Sequence, residues 1–185
     1  MLELYKENYT TLSPTQTMLY KQIEKVYDPS TEYIVFQLRN LRKKGEYITH
    51  NELKMGIYKG IKDYIQYYIY PLCKRKFIKD NMINSLFDYI GIIEYPQSED
   101  ENINLHIHLF IKPKVEVDIN EMLVLMKERI TFSNRKKNKK GDLVDDVFHH
   151  NLYDYSYSND FISYHTKTFK HQYLYDNVLT NIELV

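Results

Sequence analysis

Asn104-Leu105-His106-Ile107-His108-Leu109-Phe110-Ile111-Lys112 reads as a β-strand with two unlike faces. In an extended chain, residues i and i+2 point the same way. His106 and His108 therefore project together, while Leu105, Ile107, Leu109 and Ile111 turn to the opposite face as core. Imidazole nitrogen is a common ligand for first-row divalent metals. Two imidazoles on one rigid strand make half a metal site at little entropic cost. The plainer alternative is a histidine pair on an amphipathic strand that binds nothing, and the flanking segments bear on that choice.

Upstream, Phe87-Asp-Tyr-Ile-Gly-Ile-Ile-Glu-Tyr-Pro96 is rich in β-branched and aromatic residues and ends at proline, the pattern of a strand. The polar stretch from Gln97 to Asn102 then predicts a turn, so the two strands form an antiparallel hairpin. Counting back from that turn brings Glu94 close to the level of His106 and His108. Its carboxylate is the natural third ligand, completing a two-histidine, one-carboxylate set with positions left open. An ordinary exposed glutamate is the alternative.

Downstream, Asn159-Asp-Phe-Ile-Ser-Tyr-His-Thr-Lys-Thr-Phe169 has helical spacing, with Phe161, Ile162, His165 and Phe169 near one face and Ser158 or Asn159 as cap. Tyr164 and Lys167 are i,i+3 neighbours on the same side. Of the 19 tyrosines, Tyr164 alone has a lysine three positions later.

In order and spacing these three motifs resemble the HUH endonuclease superfamily, in particular the single-tyrosine rolling-circle replication initiators (Rep proteins). The family's His-hydrophobic-His is matched by His106-Ile107-His108 and its Tyr-x-x-Lys by Tyr164-His165-Thr166-Lys167. Its metal-binding Glu or Gln on the preceding strand is matched by Glu94. Glu32 to Arg39 stands where its first motif, an apolar strand, is expected, and matches it poorly. The resemblance spans about residues 31 to 175 as element order.

The resemblance implies a ferredoxin-like core with the histidines on a central strand and the tyrosine helix packed over them. It implies a divalent metal, Mg²⁺ or Mn²⁺, at His106, His108 and Glu94. Tyr164 would be the nucleophile that leaves a 5′-phosphotyrosine and a free 3′-OH, and the substrate would be single-stranded DNA or an origin hairpin. A phenol with pKa near 10 is a poor nucleophile at neutral pH, so Lys167 is expected to hold the phenolate or contact the phosphate. Among relatives, single-strand transposases usually carry a glutamine after the tyrosine and relaxases three clustered histidines; neither pattern is clear in this chain. A catalytically silent nucleic-acid-binding α+β module is the reading from another class.

His149 and His150 fall in a predicted strand where adjacent residues face opposite ways, so only one of them can replace Glu94 as third ligand. His165 is expected beneath the tyrosine helix, His50 and His171 at the surface. Tyr153, Tyr155 and Tyr157 alternate along one strand face and read as surface.

The chain has 185 residues and one cysteine, Cys73, so it has no internal disulfide and suits a reducing, cytoplasmic setting. Lys plus Arg and Asp plus Glu both number 25, a balance unlike that of most tight nonspecific DNA binders. The positive charge is clustered, however. Arg135, Lys136, Lys137, Lys139 and Lys140 form a predicted basic loop that can track phosphates, with Arg39 to Lys44 and Lys74 to Lys76 as further clusters. No apolar run reaches membrane-spanning length and no signal-peptide core follows Met1. No Gly-x-x-x-x-Gly-Lys loop occurs, so a separate host helicase and polymerase would act as partners.

The predicted elements are a helix over 14–27 capped by Ser13, a strand over 32–39, and a long helix opened by the Thr49-to-Glu52 capping box. That helix runs to about Lys74, with Pro71 bending or ending it. Strands over 87–95 and 104–112 follow, then a helix from Ile119 to Ile130 burying Met122, Leu123, Met126 and Ile130, and a strand over 146–155 before the tyrosine helix. This order predicts an α+β fold, an antiparallel sheet with helices packed on it. Residues 1–30 are expected as a helical extension and 31–185 as one endonuclease domain.

Overall fold

The computed structural model describes residues 13–39, 50–94, 105–134, 139–151 and 178–181. It is an α+β fold, with four α-helices and a five-stranded antiparallel sheet among the described residues. Helix α1 is Pro14–Val26, strand β1 Glu32–Leu38, α2 His50–Tyr64, α3 Asp80–Leu86, β2 Phe87–Glu94 and β3 His106–Pro113. Helix α4 is Ile119–Arg129, followed by β4 Thr131–Asn134, β5 Lys139–Asp142, β6 Val144–Asn151 and β7 Val178–Thr180. The sheet order is β6-β1-β3-β2-β7, and β4 and β5 form a separate two-stranded ribbon.

Contacts divide the chain into two compact units, residues 1–35, 88–112 and 148–185 in one and 36–87 and 113–147 in the other. In the first unit, α1 begins at a reciprocal cap. The Ser13 hydroxyl accepts from the Gln16 amide at 3.2 Å, and the Gln16 side chain accepts from the Ser13 amide at 3.0 Å. Pro14 takes the first helical position, where its missing N–H costs nothing. Leu19, Tyr20, Ile23 and Val26 recur at helical spacing and pack with Tyr33, Ile90, Ile92, Phe110 and Val178. Burying each of those aliphatic side chains contributes about 2 kcal/mol. Strand β7 closes this unit's sheet edge, pairing Ile90 with Thr180 and Ile92 with Val178.

In the second unit, α2 lies against α4, and glycines set the distance. A Cβ on Gly60 would stand 2.6 Å from the Met126 Cα, and one on Gly56 2.9 Å from the Arg129 carbonyl oxygen. Met122, Met126 and Ile130 are fully buried. Leu123, expected beside them, is only half-buried.

The long helix ends earlier than the sequence predicts. After Tyr64 it widens into one π-turn, Ile65–Ile69, and Lys74 lies beyond it. In a continued helix the Pro71 ring would clash with the carbonyl four residues back and would offer no N–H, so the helix stops before it. The Tyr70 amide closes the turn on the Ile65 carbonyl at 2.6 Å. Helix α3 and strands β4, β5 and β7 go unpredicted, and the expected loop over 135–140 ends in a strand, because Lys139 and Lys140 pair with Asn134 and Ser133. Thr49 and the stretch 152–177, with Tyr153, Tyr155, Tyr157 and His171, lie outside the described residues. Among the described residues no helix is long and apolar enough to cross a membrane.

Candidate metal centre

Strand β3 occupies the middle of the sheet, with β1 on one side and β2 on the other. Alternation does what the sequence predicts. Ile107, Leu109 and Ile111 are at most 1% exposed, on the face opposite His106 and His108. The histidine face is not open either. Phe110 and Ile92, two residues along from His108 and Glu94, pack under α1. Helix α1 therefore shares the face on which the tyrosine helix was expected.

Glu94, at the end of β2, meets His108 on β3: its Oε2 is 3.0 Å from the imidazole Nε2. Both side chains are largely buried, 11% and 5% exposed. The other imidazole nitrogen, Nδ1, is 2.8 Å from the hydroxyl of Tyr33 on β1, which is itself 4% exposed. Tyr33 stacks on Phe110 with ring centroids 5.0 Å apart. His106 is half-buried, its ring nearly parallel to that of His108 at a centroid distance of 6.2 Å. Glu94, His108 and Tyr33 thus form one buried chain of carboxylate, imidazole and phenol across three neighbouring strands.

With Nε2–H donated to Glu94, Nδ1 accepts from the Tyr33 O–H. With the other tautomer, Nδ1–H donates to the Tyr33 oxygen and the Nε2 lone pair is available to an ion. A hydroxyl serves either state because it both donates and accepts. Ligating histidines generally have such a partner on the second nitrogen. Two adjacent ligands about 2.1 Å from one octahedral ion, a right angle apart, are about 3.0 Å from each other, which is the His108–Glu94 separation. The donor types are those a divalent ion takes, and 3.0 Å is equally the length of the hydrogen bond between His108 and Glu94. Among the described residues no three His, Cys, Asp or Glu side chains converge to hold one.

The alternative histidines are placed elsewhere. His149 on β6 bonds Glu32 on β1, Nε2 to Oε2, at 2.7 Å. Glu32 and Tyr33 are adjacent in one strand and point to opposite faces, so His149 serves the far side of the sheet. His150 is exposed on β6, with β1 between it and β3. Tyr164, His165, Lys167, Arg135, Lys136 and Lys137 lie outside the described residues, as do the side chains of Lys139, Lys140 and His50.

Sequence reasoning missed Tyr33. Its alternation with Val35 marks a face, but nothing local says that β1 neighbours β3. No protein-family model, curated protein or solved structure matches this chain.

Proposed function

We propose that this chain is an HUH-type, metal-dependent, site-specific single-strand DNA nickase and strand-transferase of the kind that initiates rolling-circle replication. The observation that carries the reading is the buried His108–Glu94 pair, 3.0 Å apart on the neighbouring strands β3 and β2, with His106 on the same face. The strand order supports it as well. β1-α2-β2-β3-α4-β6 with the sheet order β6-β1-β3-β2 follows the βαββαβ pattern of a ferredoxin-like core.

His106, His108 and Glu94 would hold the divalent ion, which when bound supplies Lewis-acid polarisation of a phosphate and charge stabilisation at the leaving oxygen. Tyr164 is the proposed nucleophile. Its phenolic oxygen forms a bond to phosphorus, the P–O3′ bond breaks, and the proton given up by the phenol is balanced by the one taken up at the 3′ oxygen. Lys167 would hold the phenolate before attack. The reverse step, with a second 3′-OH as nucleophile, completes strand transfer. Transposases and relaxases of the same superfamily share this step.

One observation favours a second reading. His108 has partners on both nitrogens, as a structural histidine requires, which suits a catalytically silent nucleic-acid-binding module.

The test is a covalent adduct. The protein is incubated with a pool of single-stranded oligonucleotides and Mn²⁺, beside Tyr164→Phe and His106→Ala controls. A denaturation-resistant mass shift lost in both variants establishes the nickase. An adduct that survives Tyr164→Phe moves the nucleophile, with Tyr153, Tyr155 and Tyr157 next in line. No adduct, together with no calorimetric Mn²⁺ binding, favours the silent module.

A further inference from the structure

Of the exposed large apolar side chains among the described residues, most fall between Tyr67 and Phe77. Tyr67 is 53% exposed, Tyr70 44%, Leu72 99% and Phe77 55%. Exposed large apolar side chains clustered in one segment mark a candidate contact surface. The backbone explains their presentation. The π-turn ends at Tyr70, the Cys73 amide bonds the Tyr70 carbonyl at 2.9 Å, and Leu72 stands at the tip of the resulting turn beside Pro71. The 3₁₀ turn Arg75–Phe77 follows.

The charge in this segment has one sign. From Tyr64 to Lys79 there is no acidic residue, while Lys74, Arg75, Lys76 and Lys79 are basic. Arg75 is engaged with the buried Asp63 at 2.7 Å, whereas Lys74 and Lys76 are exposed. The Lys76 ammonium lies 4.9 Å from the Phe77 ring centroid. Tyr68 donates to Glu121 at 2.6 Å, so a carboxylate stands beside it and it is left out of the surface.

We propose that Tyr67, Tyr70, Leu72 and Phe77, with Lys74 and Lys76, form a contact surface for single-stranded nucleic acid. Flat rings interleaved with cations complement unpaired bases joined by phosphates: the bases stack, the ammonium groups neutralise the backbone, and neither contact reads sequence. A duplex hides its base faces and would not use the rings. The surface does not depend on the nickase reading, since it lies on other residues and its test involves no cleavage.

The full chain is titrated against fluorescein-labelled oligothymidylate, without metal, and binding is followed by anisotropy at several salt concentrations. Tyr70→Ala with Phe77→Ala is expected to weaken binding about tenfold or more, at the stacking contribution of a base on a ring. Lys74→Ala with Lys76→Ala is expected to lower the log-log salt slope by about 1.4. Circular dichroism of these surface variants checks that each is folded. Three outcomes overturn the proposal: no binding by the wild-type chain, ring substitutions that leave affinity unchanged, or binding to anionic vesicles that depends on Leu72 and is not competed by the oligonucleotide. The adduct assay reports on nicking separately, so either idea can fail alone.

Discussion

The Nδ1 atom of His108 sits 2.8 Å from the hydroxyl of Tyr33 on the neighbouring strand, and both residues are buried. Tyr33→Phe removes that partner and keeps the ring that stacks on Phe110. A buried nitrogen left without a partner costs about 1–3 kcal/mol, which urea unfolding reads as a lower midpoint. If His108 ligates an ion, the same substitution weakens calorimetric Mn²⁺ binding by about 10–100-fold. Unchanged stability would mean that the hydrogen bond contributes nothing.

Gly60 sets the approach of α2 to α4, because a Cβ there meets the backbone of Met126, which cannot rotate away. Gly60→Ala gains about 1 kcal/mol of helix propensity but forces the helices apart, and overpacking costs about 1–3 kcal/mol or more. The expected net effect is destabilisation, read as a lower thermal midpoint. A stabilised variant would show that the two helices can separate at no cost.

Asp63 is fully buried. Its Oδ2 bonds the Arg129 guanidinium, and the Arg75 Nε approaches Oδ1 at 2.7 Å without hydrogen-bond alignment. Breaking a buried pair leaves uncompensated charge and costs about 3–5 kcal/mol. The two arginine side chains are 34% and 40% exposed, so water can take them up again. Asp63→Ala is therefore expected to cost about 2–3 kcal/mol. Equilibrium denaturation that coincides with wild type would remove Asp63 from the account of stability.

Asp28 has its carboxyl drawn down from 3.8 to about 2, chiefly by the Ser30 hydroxyl and amide and then by Lys112. A carboxyl depressed in the folded state contributes stability that is present above pH 3.8 and is lost as pH falls toward 2. Asp28→Asn should lower the urea midpoint at neutral pH and flatten the acid limb over that interval, so that the two profiles converge as pH approaches 2. Parallel profiles for variant and wild type would exclude Asp28 as a source of the acid dependence.

Much of the local structure is legible in the residues. Ser13-Pro14 with Gln16 marks the start of α1, alternation separates the His106–His108 face from the Ile107–Leu109 face, and Pro71 forecasts a stop near the end of α2. Glu94 is foreseen beside the histidines because a hairpin ties its level to theirs within a few residues. The ribbon of β4 and β5 escapes because Asn134, Lys139, Lys140, Gly141 and Asp142 have little strand preference and are held by pairing. Strand β7 is three residues long, too short to show a period.

By itself, then, the sequence determined which residues share a face and where helices begin and stop, because those properties depend on bonds and contacts a few residues apart. Only the tertiary structure decided that β1 lies beside β3, giving His108 the Tyr33 hydroxyl, and that His149 turns to Glu32 instead. Strand neighbours are chosen by the summed pairing and burial of a whole sheet, and no short window of residues contains that sum.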